Sequence, residues 1–197
     1  MIAIIDYGVG NLGSVKNALD YLGFESVITN DKDVILNASK VILPGVGAFG
    51  DAMNEFNRRG FKEVIFKLME KNTPILGICV GMQMLFERSY EYGVHEGLGI
   101  LKGNVIKFEG NYKIPEIGWN EIEVNDNSLL LKGLDKKYVY FVHSYHVDES
   151  AYATSYAFYA GVRYPASIRY KNVYATQFHP EKSGEVGLKI LKNFGEL

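Results

Sequence analysis

The chain has 197 residues, a formal net charge of −2 and one cysteine. That length carries one sizeable core, and a near-balanced charge with no basic run argues against nucleic acid or an anionic membrane as a partner. A lone cysteine excludes an internal disulfide, fits a reducing cytosol and leaves the thiol free for chemistry, and no apolar run approaches the roughly 18 residues of a membrane helix. The first residues, Met1 to Asp6, lack a basic leader and run straight into a strand-like pattern. The expectation is a soluble, cytoplasmic, globular chain with residues 1–197 forming one domain.

The first half alternates strand and helix. Ile2–Ile5 reads as a buried strand followed by a turn over 6–11. Leu12, Val15, Leu19 and Leu22 then mark one helix face, closed by Gly23. Residues 25–29 and 40–43 read as the next strands, and Ala52, Phe56 and the run 61–68 carry helical spacing. This order predicts an α/β fold: an open, mostly parallel central sheet with helices on both faces, whose sites form at the carboxyl ends of strands.

Ile75 to Ile78 reads as another buried strand, and Met82, Leu85 and Phe86 predict that a helix follows. Between them, Gly77-Ile78-Cys79-Val80-Gly81 fits the elbow pattern in which a nucleophile sits on a tight strand-to-helix turn. A thiol there lies at a helix N-terminus, which favours the thiolate. After Gly93 the segments 100–108, 117–124, 138–142, 157–164, 167–170 and 173–177 are short and rich in Val, Ile, Phe and Tyr. They predict additional antiparallel strands, and a last helix follows over Val186 to Phe194. The Tyr-rich run 152–164 reads as strand packing.

A thiol nucleophile needs a base, and the base an orienting group. Of the four histidines, His95 reads as solvated in a loop flanked by Gly and Glu. His143 and His146 follow a strand, as does His179 in Gln177-Phe178-His179-Pro180-Glu181. Pro180 biases His179 towards extended backbone, where residues two apart point the same way, so Glu181 is placed to reach the imidazole. No carboxylate is as well placed for His143 or His146 in the sequence, although spacing alone leaves them open.

Gly77 to Gln83 together with His179-Pro180-Glu181 resembles the class I, or triad, glutamine amidotransferases. Four further stretches resemble one branch of that family, the glutaminase subunits of imidazole glycerol phosphate synthases. They are Leu43-Pro44-Gly45-Val46-Gly47-Ala48-Phe49-Gly50, Gly118-Trp119-Asn120, Phe141-Val142-His143-Ser144-Tyr145 and the run from Gln177 to Gly184. The likeness spans essentially the whole chain. Glu116, Ile117 and Ala175 depart from the pattern, where His, Met and Gly are usual.

The resemblance implies that Cys79, His179 and Glu181 form a triad hydrolysing L-glutamine through a thioester. It implies that Val80, Val46 and Gly47 surround the oxyanion and that Gln83, Ser144 and Tyr145 hold the substrate. Trp119 and Lys182 would face a partner synthase that accepts the ammonia, forming a heterodimer that makes imidazole glycerol phosphate and AICAR in histidine biosynthesis. No cofactor or metal is implied. The alternatives are a relative feeding a sugar-modifying amidotransferase, a stand-alone Cys hydrolase, or an inactive scaffold. Gly45 and Gly47 flank peptides that can turn either a carbonyl or an N–H towards the oxyanion, which predicts a gate controlled by the partner.

Overall fold

The computed structural model describes residues 1–125 and 128–197. Its first half runs β1 (Ile2–Ile5), α1 (Leu12–Tyr21), β2 (Ser26–Thr29), α2 (Lys32–Asn37), β3 (Lys40–Leu43), α3 (Phe49–Arg58), α4 (Phe61–Glu70), β4 (Ile75–Ile78) and α5 (Val80–Gln83). The second half is mostly strand: β5 (Arg88–Ser89), β6 (His95–Glu96), β7 (Asn104–Lys107), β8 (Glu116–Val124), β9 (Lys137–His143), β10 (Tyr145–Val147), β11 (Ala153–Tyr159), β12 (Val162–Tyr170) and β13 (Val173–Thr176). A 3-10 turn over Pro180–Lys182 leads into α6 (Gly184–Gly195).

Among the described residues, nine strands form one sheet in the order β2-β1-β3-β4-β13-β12-β11-β8-β9. The part from β2 to β13 is parallel and the rest antiparallel. The smaller sheet runs β10-β7-β5-β6. Every residue of β1, β4 and β13 is buried, which is why the first two read as unbroken apolar runs and not as alternation. Helices α1 and α6 pack together, as do α2 and α3 against α4. Each presents a spaced apolar face, Val64, Ile65 and Leu68 on α4 being typical. Phe56 is sealed between Tyr7 and Phe61, with ring centroids 5.3 and 5.6 Å away. Truncating such a ring to Ala costs about 3–5 kcal/mol.

Three local expectations are corrected. The run 157–164 is the two sides of a hairpin: Ala160 and Gly161 both have positive φ, and Tyr159 faces Val162 across the turn. The helix expected through Phe86 stops at Gln83. The carbonyls of Met84, Leu85 and Phe86, which a continuing helix would use, accept from the amides of Leu98, Ile100 and Gly99. Helix α2 has no counterpart in the sequence reading. It is short and rests on its N-cap, Asp31, whose carboxylate accepts from the amides of Asp33 and Val34.

Strands β3, β4 and β13 lie side by side and parallel, with Leu43 opposite Gly77 and Thr176 opposite Ile78. Their carboxyl ends therefore deliver Pro44, Cys79 and Gln177 to one edge of the sheet.

Candidate active site

Cys79 stands where β4 ends and α5 begins, with φ 54° and ψ −111°. A non-glycine residue held at positive φ is strained, and its surroundings must hold it there. The amide of Cys79 donates to Thr176 O at 2.8 Å, and its carbonyl accepts from the amides of Met82 and Gln83. The turn is tight because Gly81 packs directly on the carbonyl of Leu43, leaving no room for a side chain. Helix α5 is a single turn, so its dipole adds little field at the sulfur. The nearby positive charge comes from elsewhere.

It comes from His179. This residue follows β13, with φ −98° and ψ 98°, as its neighbour Pro180 favours. The amide of His179 donates to Tyr140 O, and its carbonyl accepts from Ser183 Oγ at 2.6 Å. Its Nδ1 lies 2.8 Å from Glu181 Oε1. The reason for that contact differs from the sequence argument, since Pro180–Lys182 is a 3-10 turn and not an extended segment. The turn folds the carboxylate back under the ring. With Nδ1 bound to Glu181, Nε2 is the nitrogen left for the sulfur. Burial by itself would lower the pKa of His179. Hydrogen bonds to Cys79 and Glu181, and the charges behind them, outweigh burial and lift it to about 10. The imidazole therefore carries both protons at neutral pH, and in its hydrogen bond with Cys79 the sulfur is the acceptor.

Cys79 and His179 open onto a cavity of about 270 Å³ that Val46, Gly47, Val80, Gln83, Ser144, Tyr145 and Lys182 also line. Trp119 lies outside it, more than half exposed on β8. Trp119 and Lys182 nevertheless share a neighbour: the Tyr140 ring lies 6.2 Å from the Trp119 ring and 5.9 Å from Lys182 Nζ.

Two histidine expectations change. His95 is on β6 and half-buried, its ring packed against Gly50. His143 has a carboxylate after all: Glu116 Oε2 lies 3.2 Å from its Nε2, with both side chains buried. Neither atom of that ring is free to serve the sulfur, because Nδ1 is 2.8 Å from Tyr145 O.

Several residues of the site escaped the sequence reading. Glu91 lines the cavity and accepts from the amide of Phe49 at 2.6 Å. Gln177 points its Nε2 at Cys79 Sγ, 3.8 Å away. Tyr7, wholly buried, donates to Pro44 O at 2.7 Å, and burial pushes its phenol far above its usual pKa. Gln177 lies inside the Gln-Phe-His-Pro-Glu motif and could have been flagged there. Glu91 and Tyr7 reach the site only through the tertiary fold.

Comparison with known proteins identifies the family. Residues 3–196 match the family model for glutamine amidotransferase class-I. A protein of Caldanaerobacter subterraneus subsp. tengcongensis described as imidazole glycerol phosphate synthase subunit HisH is 52% identical over 199 residues, covering 100% of this chain and 98% of the relative. One of Aquifex aeolicus with the same description is 51% identical over 196 residues, covering 97% and 94%. In fold, a chain of PurLQS from Thermotoga maritima superposes with a TM-score of 0.77 at 21% identity, covering 98% of this chain and 96% of that one. The chain belongs to the class-I glutamine amidotransferase family and, within it, to the HisH subunits of imidazole glycerol phosphate synthase.

Proposed function

We propose that this chain is the glutaminase subunit of an imidazole glycerol phosphate synthase. It hydrolyses L-glutamine to glutamate and ammonia and passes the ammonia to a synthase subunit that makes imidazole glycerol phosphate and AICAR in histidine biosynthesis. The observation that carries the reading is the meeting of Cys79 and His179 at one cavity, with Glu181 bound behind the imidazole. The HisH descriptions of the full-length relatives favour this pathway over a sugar-modifying partner. No described helix is long and apolar enough to cross a membrane, and we place the protein in the cytoplasm with residues 1–197 as one domain.

In the mechanism, the Cys79 sulfur attacks the side-chain carbonyl carbon of glutamine. The carbonyl π electrons move to oxygen, giving a tetrahedral oxyanion. Val80 opens α5, so its N–H has no intrahelical partner and is available to that oxygen. A second donor comes from the Val46-Gly47 segment. Each such donor is worth about 3 kcal/mol of barrier. The C–N bond then breaks as His179 gives its Nε2 proton to the leaving nitrogen, releasing ammonia and leaving a thioester. Neutral His179 next takes a proton from water, whose oxygen attacks the thioester, and glutamate leaves. Glu181 holds the ring in place and stabilises its charged form. Gln83, Ser144 and Tyr145 hold the amino-acid end of the substrate, and the Glu91 carboxylate supplies the negative charge its ammonium needs. Trp119 and Lys182 face the synthase.

The test is glutamate release by the chain alone, with the synthase, and with the synthase plus its acceptor substrate. The reading predicts hydrolysis that requires or strongly favours the complex. Absence of glutaminase activity in all three would reject it.

A further inference from the structure

Glu116 opens β8 directly opposite His143, the last residue of β9. Its buried carboxylate is fully engaged. Oε1 accepts from Asn120 Nδ2 at 2.8 Å, and Oε2 accepts from Tyr164 Oη at 2.8 Å and faces His143 Nε2 at 3.2 Å. Apolar side chains would fill this place with a smaller desolvation penalty. What the charge does is visible on the other side of the imidazole.

His143 Nδ1 lies 2.8 Å from the carbonyl of Tyr145. A carbonyl can only accept, so Nδ1 carries a hydrogen. The same carbonyl accepts from Gln83 Nε2 at 3.0 Å, and Gln83 Nε2 also donates to Gln177 Oε1 at 3.0 Å. Gln177 Nε2 in turn points at Cys79 Sγ. One carbonyl thus sets the sense of two side-chain amides. Both hydrogens of Gln83 are engaged, so its Oε1 is the end left for a ligand in the cavity it lines. Gln177 has its oxygen occupied, so it offers an N–H to the sulfur. A flip of either amide would set an oxygen against the sulfur or a donor where the substrate expects an acceptor.

We propose that Glu116 and His143 are positioning residues for glutamine hydrolysis, acting through the Tyr145 carbonyl to fix Gln83 and Gln177. The proposal rests on the glutaminase reading above. Glu116 lies outside the cavity, and His143, which borders it, has both ring nitrogens engaged away from the sulfur, so their removal acts on substrate affinity and on the sulfur's surroundings, leaving the triad itself in place.

The experiment uses the full chain in complex with its synthase and measures initial rates against glutamine concentration. His143→Phe keeps a ring among Phe108, Phe141 and Tyr164 and removes the donor to Tyr145. KM for glutamine should rise about tenfold, as expected for losing one buried hydrogen bond. Alkylation of Cys79 by iodoacetamide should slow by about threefold as its N–H donor loosens. The double change Glu116→Leu with His143→Phe removes charge and ring nitrogens together, avoids stranding a buried carboxylate, and should show the same raised KM with a thermal midpoint lowered by only a few degrees, since the Tyr164 hydroxyl loses its acceptor. Glu116→Gln, which keeps the shape but sets an amide N–H where Tyr164 Oη donates, should raise KM about threefold. If neither Phe variant folds, Glu116→Gln decides by the same readouts. Wild-type KM and alkylation rate in a folded variant of this set would overturn the proposal. Lack of glutamine hydrolysis by the wild-type complex, or its persistence in Cys79→Ala, would instead overturn the glutaminase reading.

Discussion

His179 Nδ1 and Glu181 Oε1 meet at 2.8 Å with both side chains almost sealed from solvent. The hydrogen bond to Cys79 and this pair together keep His179 protonated to about pH 10, against about 6.5 for an unperturbed histidine. Because the folded pKa is the higher one, the stability this proton contributes is complete below about pH 6.5 and is lost as pH rises through about 10. Thermal melts of wild type and His179→Asn at pH 8 and 10.5 measure it. The gap between the two proteins should narrow at the higher pH, and a gap that widens would contradict the assigned charge.

Substitutions at the two residues should separate orientation from proton transfer. His179→Asn removes the proposed acid and base and should leave no more than a trace of thioester formation at neutral pH. Glu181→Gln keeps the ring and loses the charge beside it, so its damage should be smaller, yet still orders of magnitude in kcat. Rapid-quench measurement of the acyl-enzyme in each variant checks the order. Equal loss in His143→Phe and His179→Asn at that step would reassign the base.

The backbone of the proposed oxyanion segment divides the two glycines that the sequence alone treats alike. At Gly45 an added Cβ would lie 2.5 Å from the amide nitrogen of Gly81, so this residue is clamped on the elbow. Gly47 has φ 83° and open space around its missing side chain. Only Gly47 is free to act as a hinge. Gly47→Ala should fold, carry about 1–2 kcal/mol of backbone strain, and blunt the stimulation of glutamate release by synthase plus acceptor substrate. Gly45→Ala should disrupt the elbow and abolish activity with or without the partner. Full stimulation in Gly47→Ala would refute the hinge.

Trp119, exposed beside Tyr140 and Lys182, makes the docking prediction. A central aromatic in an interface is worth about 2 kcal/mol or more. Trp119→Ala should therefore weaken synthase binding by at least about 30-fold in calorimetry. The melting temperature of the isolated chain should barely change, since the ring is mostly in solvent. Unchanged affinity would move the interface elsewhere.

What could be read from the sequence was what is local. The runs at Ile2–Ile5 and Ile75–Ile78 and the spacing of α4 and α6 announce themselves, because burial on both faces or on one helix face is written into neighbouring residues. Cys79 was legible for the same reason. Extended backbone would bring Glu181 to His179, whereas in the fold a 3-10 turn makes the contact. Glu116 and His143 were out of reach, since their pairing depends on the register of β8 against β9. The early end of α5 depends on amides from residues 98–100 taking its carbonyls, and the hairpin at Ala160-Gly161 hides in a run whose alternation continues across the turn.

The most direct measurement is made on Cys79→Ala in complex with its synthase and acceptor substrate, supplied either with glutamine or with ammonium. Cys79 is the proposed sole nucleophile, and the synthase's own chemistry lies on another chain. The account predicts no turnover with glutamine, near wild-type turnover with saturating ammonium, and an unchanged fold by circular dichroism. Glutamine-dependent turnover above a trace in that variant would contradict it.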